Sequence, residues 1–117
     1  MKLLKHEQLT QLVSELKKNS IVNNVKIWKR VATDLEKPTR NKRIVNLYKI
    51  DKYAKPDETI VVPGKVLGTG DITKKVVVAA YVFSDSAYEK IKAKGEAISI
   101  QELLKRNPKG KKVRILG

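Results

Sequence analysis

Gly64-Lys-Val-Leu-Gly-Thr-Gly-Asp71, Ile72-Thr-Lys-Lys75 and Val76-Val-Val-Ala-Ala-Tyr-Val-Phe83 follow one another without a break. The run from Lys75 to Phe83 has no helical period, and its near-continuous apolar character predicts an internal strand buried on both faces. The glycines before it allow backbone conformations and close approaches that side chains would block. Upstream, Thr59 to Val62 is a short β-branched run that predicts a strand ending at Pro63-Gly64. Downstream, Ser84 opens a predicted helix that Gly95 ends. Ser99 and Glu102 have the spacing of a capping box, so a second short helix is expected up to Asn107, where Pro108 closes it. Val113 to Leu116 predicts a last short strand.

The first half of the chain has a different pattern. Leu9, Leu12, Val13 and Leu16 share one helical face, predicting a helix from His6 to Lys18 that Asn19 and Ser20 break. Asn23 or Asn24 would cap a second helix, with Val25, Trp28, Ala32 and Leu35 as its apolar stripe. Pro38 would stop it, and Thr39 would cap a third helix burying Ile44, Leu47 and Tyr48. Lys-Pro-Asp at 55–57 reads as a turn. The expectation is one α/β domain over 1–117: a basic helical part (1–55), then strands alternating with helices and a basic tail (56–117).

The chain has no cysteine and one histidine, which excludes disulfides, thiolate zinc sites and multi-histidine metal sites. No apolar stretch approaches a membrane span, and no secretory leader is evident, so an intracellular protein is expected. The net charge is +14, from 26 Lys and Arg against 12 Asp and Glu. It is segregated: residues 26–55 carry +7 and residues 105–117 carry +6, whereas residues 56–104 carry −1. Such segregation is the footprint of an anionic partner, nucleic acid above all.

Three clusters are candidates for that partner. The loop of Gly64, Lys65, Gly68 and Gly70, with Lys74 and Lys75 at its far end, could face phosphate through exposed amides and ammonium groups. A nucleotide-binding loop would need Lys and Ser or Thr opening a helix, and here the loop feeds a strand. A plain strand-to-strand connection is the alternative. The second cluster is Lys37, Arg40, Asn41, Lys42 and Arg43, at the mouth of the predicted third helix, where cations oppose the dipole unless an anion binds. Lys29 and Arg30 lie off the apolar stripe nearby. The third is the tail, with Lys109, Lys111 and Lys112, held by Pro and Gly as an ordered turn. Trp28, Tyr48 and Tyr81 are expected in the core, with Phe83 and Tyr88 closing the later helix. The carboxylates form no acid–base pair, so catalysis, a cofactor and a small-molecule substrate are not expected.

The same residues resemble a known family. Ile27-Trp-Lys-Arg-Val-Ala32, Lys37-Pro-Thr-Arg-Asn-Lys-Arg43, Val61-Val-Pro-Gly-Lys-Val-Leu-Gly-Thr-Gly70, Val78-Ala-Ala-Tyr81, Asn107-Pro-Lys-Gly110 and Val113-Arg-Ile-Leu-Gly117 are similar to large-subunit ribosomal protein eighteen of archaea and eukaryotes, itself related to bacterial protein fifteen. The resemblance covers nearly the whole chain and looks like the archaeal form. It implies a cytoplasmic structural protein of the large ribosomal subunit, bound to its large RNA beside neighbouring ribosomal proteins. It also implies N-terminal helices followed by an irregular, partly superhelical arrangement of strands and helices. Arg40, Asn41, Arg43, Lys65 and the loop glycines would lie in the RNA-facing region. Two departures stand out: Thr73-Lys-Lys75 replaces a stretch where the family often has histidine, and a common Gly-Gly pair is the lone Gly95. A free-standing RNA chaperone, or a small nucleotide-using enzyme at Gly64–Gly70, are the alternatives.

Overall fold

The computed structural model describes residues 6–38, 42–55 and 58–116. Arg40, Asn41 and the expected Thr39 cap lie outside them, as do Pro56 and Asp57 of the expected turn. The elements are α1 His6–Val22, α2 Lys26–Leu35, β1 Arg43–Asn46, α3 Leu47–Tyr53, β2 Thr59–Leu67, β3 Val77–Phe83, α4 Asp85–Lys94, β4 Glu96–Ser99, α5 Ile100–Arg106 and β5 Val113–Ile115.

All strand pairs are parallel, in the order β1-β2-β3-β4, and β5 also pairs with β2. One side of β2 is therefore divided. Thr59–Val61 pair with β5, and Gly64–Leu67 pair with β1. The β2–β3 register shifts between Val62 and Lys65, where Pro63 has no N–H to give to a ladder. The bulge lets β2 continue through Pro63-Gly64, where the sequence predicts that it ends.

A parallel sheet needs cover on both faces. One face buries Val45, Ile60, Val62, Val66, Val78 and Ala80 under α3 and α4 residues such as Leu47, Ile50, Ala87 and Ile91. The other buries Val61, Ala79 and Ile98 under α1, α2 and α5, through Leu12, Leu16, Trp28, Leu35 and Leu103. Val78 and Ala79 thus feed opposite cores, as the unbroken apolar run requires. The chain advances from β1 to β4 with α3 and α4 on one face, then returns to β5 with α5 on the other. Crossovers of one hand change face when they change direction.

Several expectations are corrected. Asn19 and Ser20 do not break α1; Asn19 donates from Nδ2 to the Glu15 carbonyl within it. The helix ends instead in a Schellman motif. Asn24 has φ 54, its N–H bonds the Ile21 carbonyl, and Val25 N–H bonds the Ser20 carbonyl. Asn24 therefore closes α1, and Val25 is the N-cap of α2, with no side-chain cap. The expected third helix begins only at Leu47, because Arg43–Asn46 pair with Gly64–Leu67 as a strand. Ile44 and Tyr48, expected in the core, are 64% and 59% exposed. Tyr81 is only half-buried. Strand β4 is an addition: Gly95 alone links α4 to it, with Glu96 N–H bonded to the Val76 carbonyl. Trp28 and Phe83 are buried as expected, and Phe83 meets Tyr88 edge-on. Ser84 and Ser99 cap α4 and α5, accepting from the N–H groups of Ala87 and Glu102. The Glu102 carboxylate accepts from Arg106.

Candidate nucleic-acid interface

The cations divide into those held by the fold and those left free. Arg43 belongs to the first group. Its Nε and Nη2 both reach Asp34 Oδ2 at 3.0 Å, while Lys37 Nζ reaches Asp34 Oδ1 at 3.1 Å. Asp34 is the one charged residue buried among those described. It follows Val31 by three positions on the buried side of a basic helix, and that spacing was the available sequence signal. Lys42 donates to the Lys37 carbonyl at 2.7 Å and lies 5.4 Å over the Tyr81 ring. Burial lowers its pKa from the usual lysine value. Because 43–46 is a strand, Lys42 and Arg43 do not open a helix, and the dipole argument for an anion there falls away.

Lys74 is held as well. Its ammonium donates to the carbonyls of Asp51 at 2.6 Å and Ala54 at 3.1 Å, satisfying free carbonyls at the end of α3. Beside it the Asp51 carboxylate accepts from the Thr73 N–H and hydroxyl at 2.9–3.0 Å. The Thr73 amide, with the hydroxyl and Lys74 adding to it, holds the Asp51 carboxyl below the usual range against a smaller opposing effect of burial.

The glycine loop is less a loop than predicted. Gly64 and Lys65 are within β2, and only Gly68 and Gly70 lie beyond it. A Cβ at Gly64 would stand 1.9 Å from the Arg43 carbonyl oxygen, so this glycine lets β1 approach β2. Gly68 abuts Ser86, and Gly70, at φ +97, abuts the backbone of Tyr48. Lys90, on α4, donates to the carbonyls of Gly68 and Gly70 at 3.0 Å each. Nothing in the sequence signals that contact, because it spans two elements 20 or more residues apart. Lys65 itself is exposed on β2, between Ile44 of β1 and Val82 of β3.

The tail forms an ordered turn, as expected. Trp28 Nε1 donates to the Pro108 carbonyl at 2.7 Å, and Asn107 bonds Lys111 in both directions at 2.8 and 3.1 Å. Lys109, Lys111 and Lys112 are exposed around it. Among the described residues, the side-chain cations of Lys29, Arg30, Lys65, Lys75, Lys109, Lys111 and Lys112 have no protein partner. They lie on α2, on β2, before β3 and in the tail, so they form a dispersed field rather than one pocket. No group of three His, Cys, Asp or Glu placed to hold a metal occurs among the described residues, and no described helix is long and apolar enough to cross a membrane.

A family model described as ribosomal proteins, comprising 50S-L15, 50S-L18e and a 60S counterpart, matches residues 8–99. The large ribosomal subunit protein eL18 of Methanoregula boonei is 53% identical over 110 residues, spanning 93% of this chain and 91% of its own. That of Archaeoglobus fulgidus is 52% identical over 109 residues, covering 92% and 93%. That of Haloarcula marismortui is 45% identical over 109 residues, covering 93% and 94%. The quoted motifs, the basic balance and these matches agree: the chain belongs to this family of large-subunit ribosomal proteins, beside its archaeal eL18 members.

Proposed function

We propose that the protein is a structural constituent of the large ribosomal subunit that binds folded large-subunit RNA through phosphate contacts, in the cytoplasm and without catalysis. The observation that carries this reading is that exposed cations without protein partners among the described residues, Lys29, Arg30, Lys65, Lys75, Lys109, Lys111 and Lys112 among them, stand on a chain of net charge +14. Each can neutralise a phosphate and release counterions, and their dispersion suits RNA strands brought together over one surface. Arg43, Lys37 and Lys74 serve the fold first. Arg40 and Asn41 belong to the same basic stretch and are candidates for the same contact. Neighbouring ribosomal proteins are the further partners.

Sedimentation of a native extract, before and after a high-salt wash, tests this. One copy per large subunit, retained through moderate salt, is the expected result. Absence from the large-subunit peak would move the reading to a free-standing RNA-binding protein.

A further inference from the structure

The second face of the sheet is only half covered. Helices α1, α2 and α5 lie over Val61, Ala79 and Ile98. Beyond the bulge in β2, toward the carboxyl ends of β1 and β2, none of the sheet residues belongs to that core. Val45 and Val66 point into the opposite core, so Ile44 and Lys65 before them turn to the other side, as do Asn46 and Leu67 after them, which are partly buried. Ile44 and Lys65 are register partners there, and both are exposed. The β1–β2 ladder runs one step further than the strands, with Tyr48 N–H bonded to the Thr69 carbonyl at 3.2 Å.

Tyr48 differs from the other tyrosines. Tyr53, Tyr81 and Tyr88 each carry a lysine ammonium 5.3–5.4 Å over the ring. Among the described residues, Tyr48 has no cation or ring partner, and it is 59% exposed. Its stem is nonetheless fixed. Gly70 presses against its backbone, and Lys90 holds the Gly68 and Gly70 carbonyls. An exposed ring on a fixed stem loses little freedom when it gains a stacking partner. Its surroundings choose that partner: Lys65 is exposed and free on β2, four residues before the Thr69 carbonyl that holds the Tyr48 N–H, and residues 26–55, which supply Ile44 and Tyr48, carry +7. Aromatic rings on a basic sheet surface stack unpaired bases, with cations taking the flanking phosphates.

We propose that this strip is a base-stacking site, in which Tyr48 receives an unpaired base of large-subunit RNA and Lys65 an adjoining phosphate. It rests on the RNA-binding reading above and adds a contact to a base. The test uses the full chain and a transcript of large-subunit ribosomal RNA, with transfer RNA as competitor. Tyr48→Ala and Tyr48→Leu are each expected to weaken binding about 10-fold with an unchanged salt slope. Tyr48→Phe should bind as the parent does, and the parent's ultraviolet cross-link to an unpaired nucleotide should vanish in Tyr48→Ala. Circular dichroism identifies any variant that has lost its fold. Parent-like binding by Tyr48→Ala overturns the stacking site and leaves the RNA reading standing. Parent-like binding by Tyr48→Leu alone also overturns it, since apolar area rather than a ring would then suffice, as for a protein neighbour. Failure of the parent to prefer the ribosomal transcript over transfer RNA sinks the large-subunit reading itself.

Discussion

Arg43 places two donors, Nε and Nη2, on a single oxygen of Asp34, each at 3.0 Å. The contact ties the start of β1 to the end of α2, across the segment 39–41. Lys37 takes the other oxygen, so the buried carboxylate is shared by two cations.

Arg43→Ala would leave that carboxylate with one surface lysine. We expect a stability loss on the order of 2 kcal/mol, read as a lower urea midpoint. Arg43→Lys should recover only part of it, because an ammonium cannot present two fixed donors. Alanine at Arg40, Lys42 and Arg43 together would therefore confound stability with binding.

Lys65→Ala separates the two effects. Its ammonium is exposed and without a protein partner, so the melting temperature should be unchanged. Affinity for the ribosomal transcript should fall, and the slope of log affinity against log salt should become shallower by roughly one. A steep loss of stability instead would place Lys65 among the structural lysines. Complete loss of a nucleotide-dependent activity would favour the enzyme alternative.

Gly64→Ala and Gly68→Ala should differ sharply. The added carbon at Gly64 meets the Arg43 backbone oxygen at 1.9 Å, which only separation of β1 from β2 can relieve. We expect a loss on the order of 3 kcal/mol. At Gly68 the nearest atom, also at 1.9 Å, is the Ser86 hydroxyl, with Ser86 Cβ at 2.9 Å and the Ala87 amide at 3.1 Å, which rotation of the serine leaves in place. Rotation of the serine relieves the closer clash, so the smaller loss is expected there. Chemical denaturation of the two variants side by side checks the order.

Asp51 gives the acid response a local cause. Hydrogen bonds from Thr73, the amide first, hold its carboxyl below the usual range. A depressed folded-state pKa means that this contribution is complete above the ordinary carboxylate range and is lost as pH falls through the lowered value. Asp51→Asn should therefore be less stable than the parent at neutral pH, and the gap should narrow as the medium becomes more acidic than about pH 4. A urea midpoint measured against pH for both proteins tests this, and a constant gap would refute it.

Trp28→Phe removes the indole donor from the Pro108 carbonyl. We expect a loss of about 1 kcal/mol and faster amide exchange in residues 107–112, with α2 little affected.

Local sequence was sufficient wherever structure was local. The unbroken run of Val76–Phe83, the serine caps at 84 and 99, the stop at Gly95 and the basic turn after Pro108 could all be read from neighbouring residues. Each depends on a period, a cap or a backbone limit acting within a few positions. The basic balance and the motifs likewise carried the family before any fold was in view. What tertiary structure decided was strand pairing and the employment of each cation. Arg43–Asn46 is a strand because Gly64 lets it lie against β2, a partner 21 positions away in register. Tyr48 is exposed because that strand delays α3 to Leu47. Arg43, Lys74 and Lys90 look like any other basic residue in the sequence, yet each is bound to an acceptor brought to it by folding. Charge is a property of composition, but whether a charge is free to meet RNA depends on which carboxylates and carbonyls the packed chain places within about 3 Å of it.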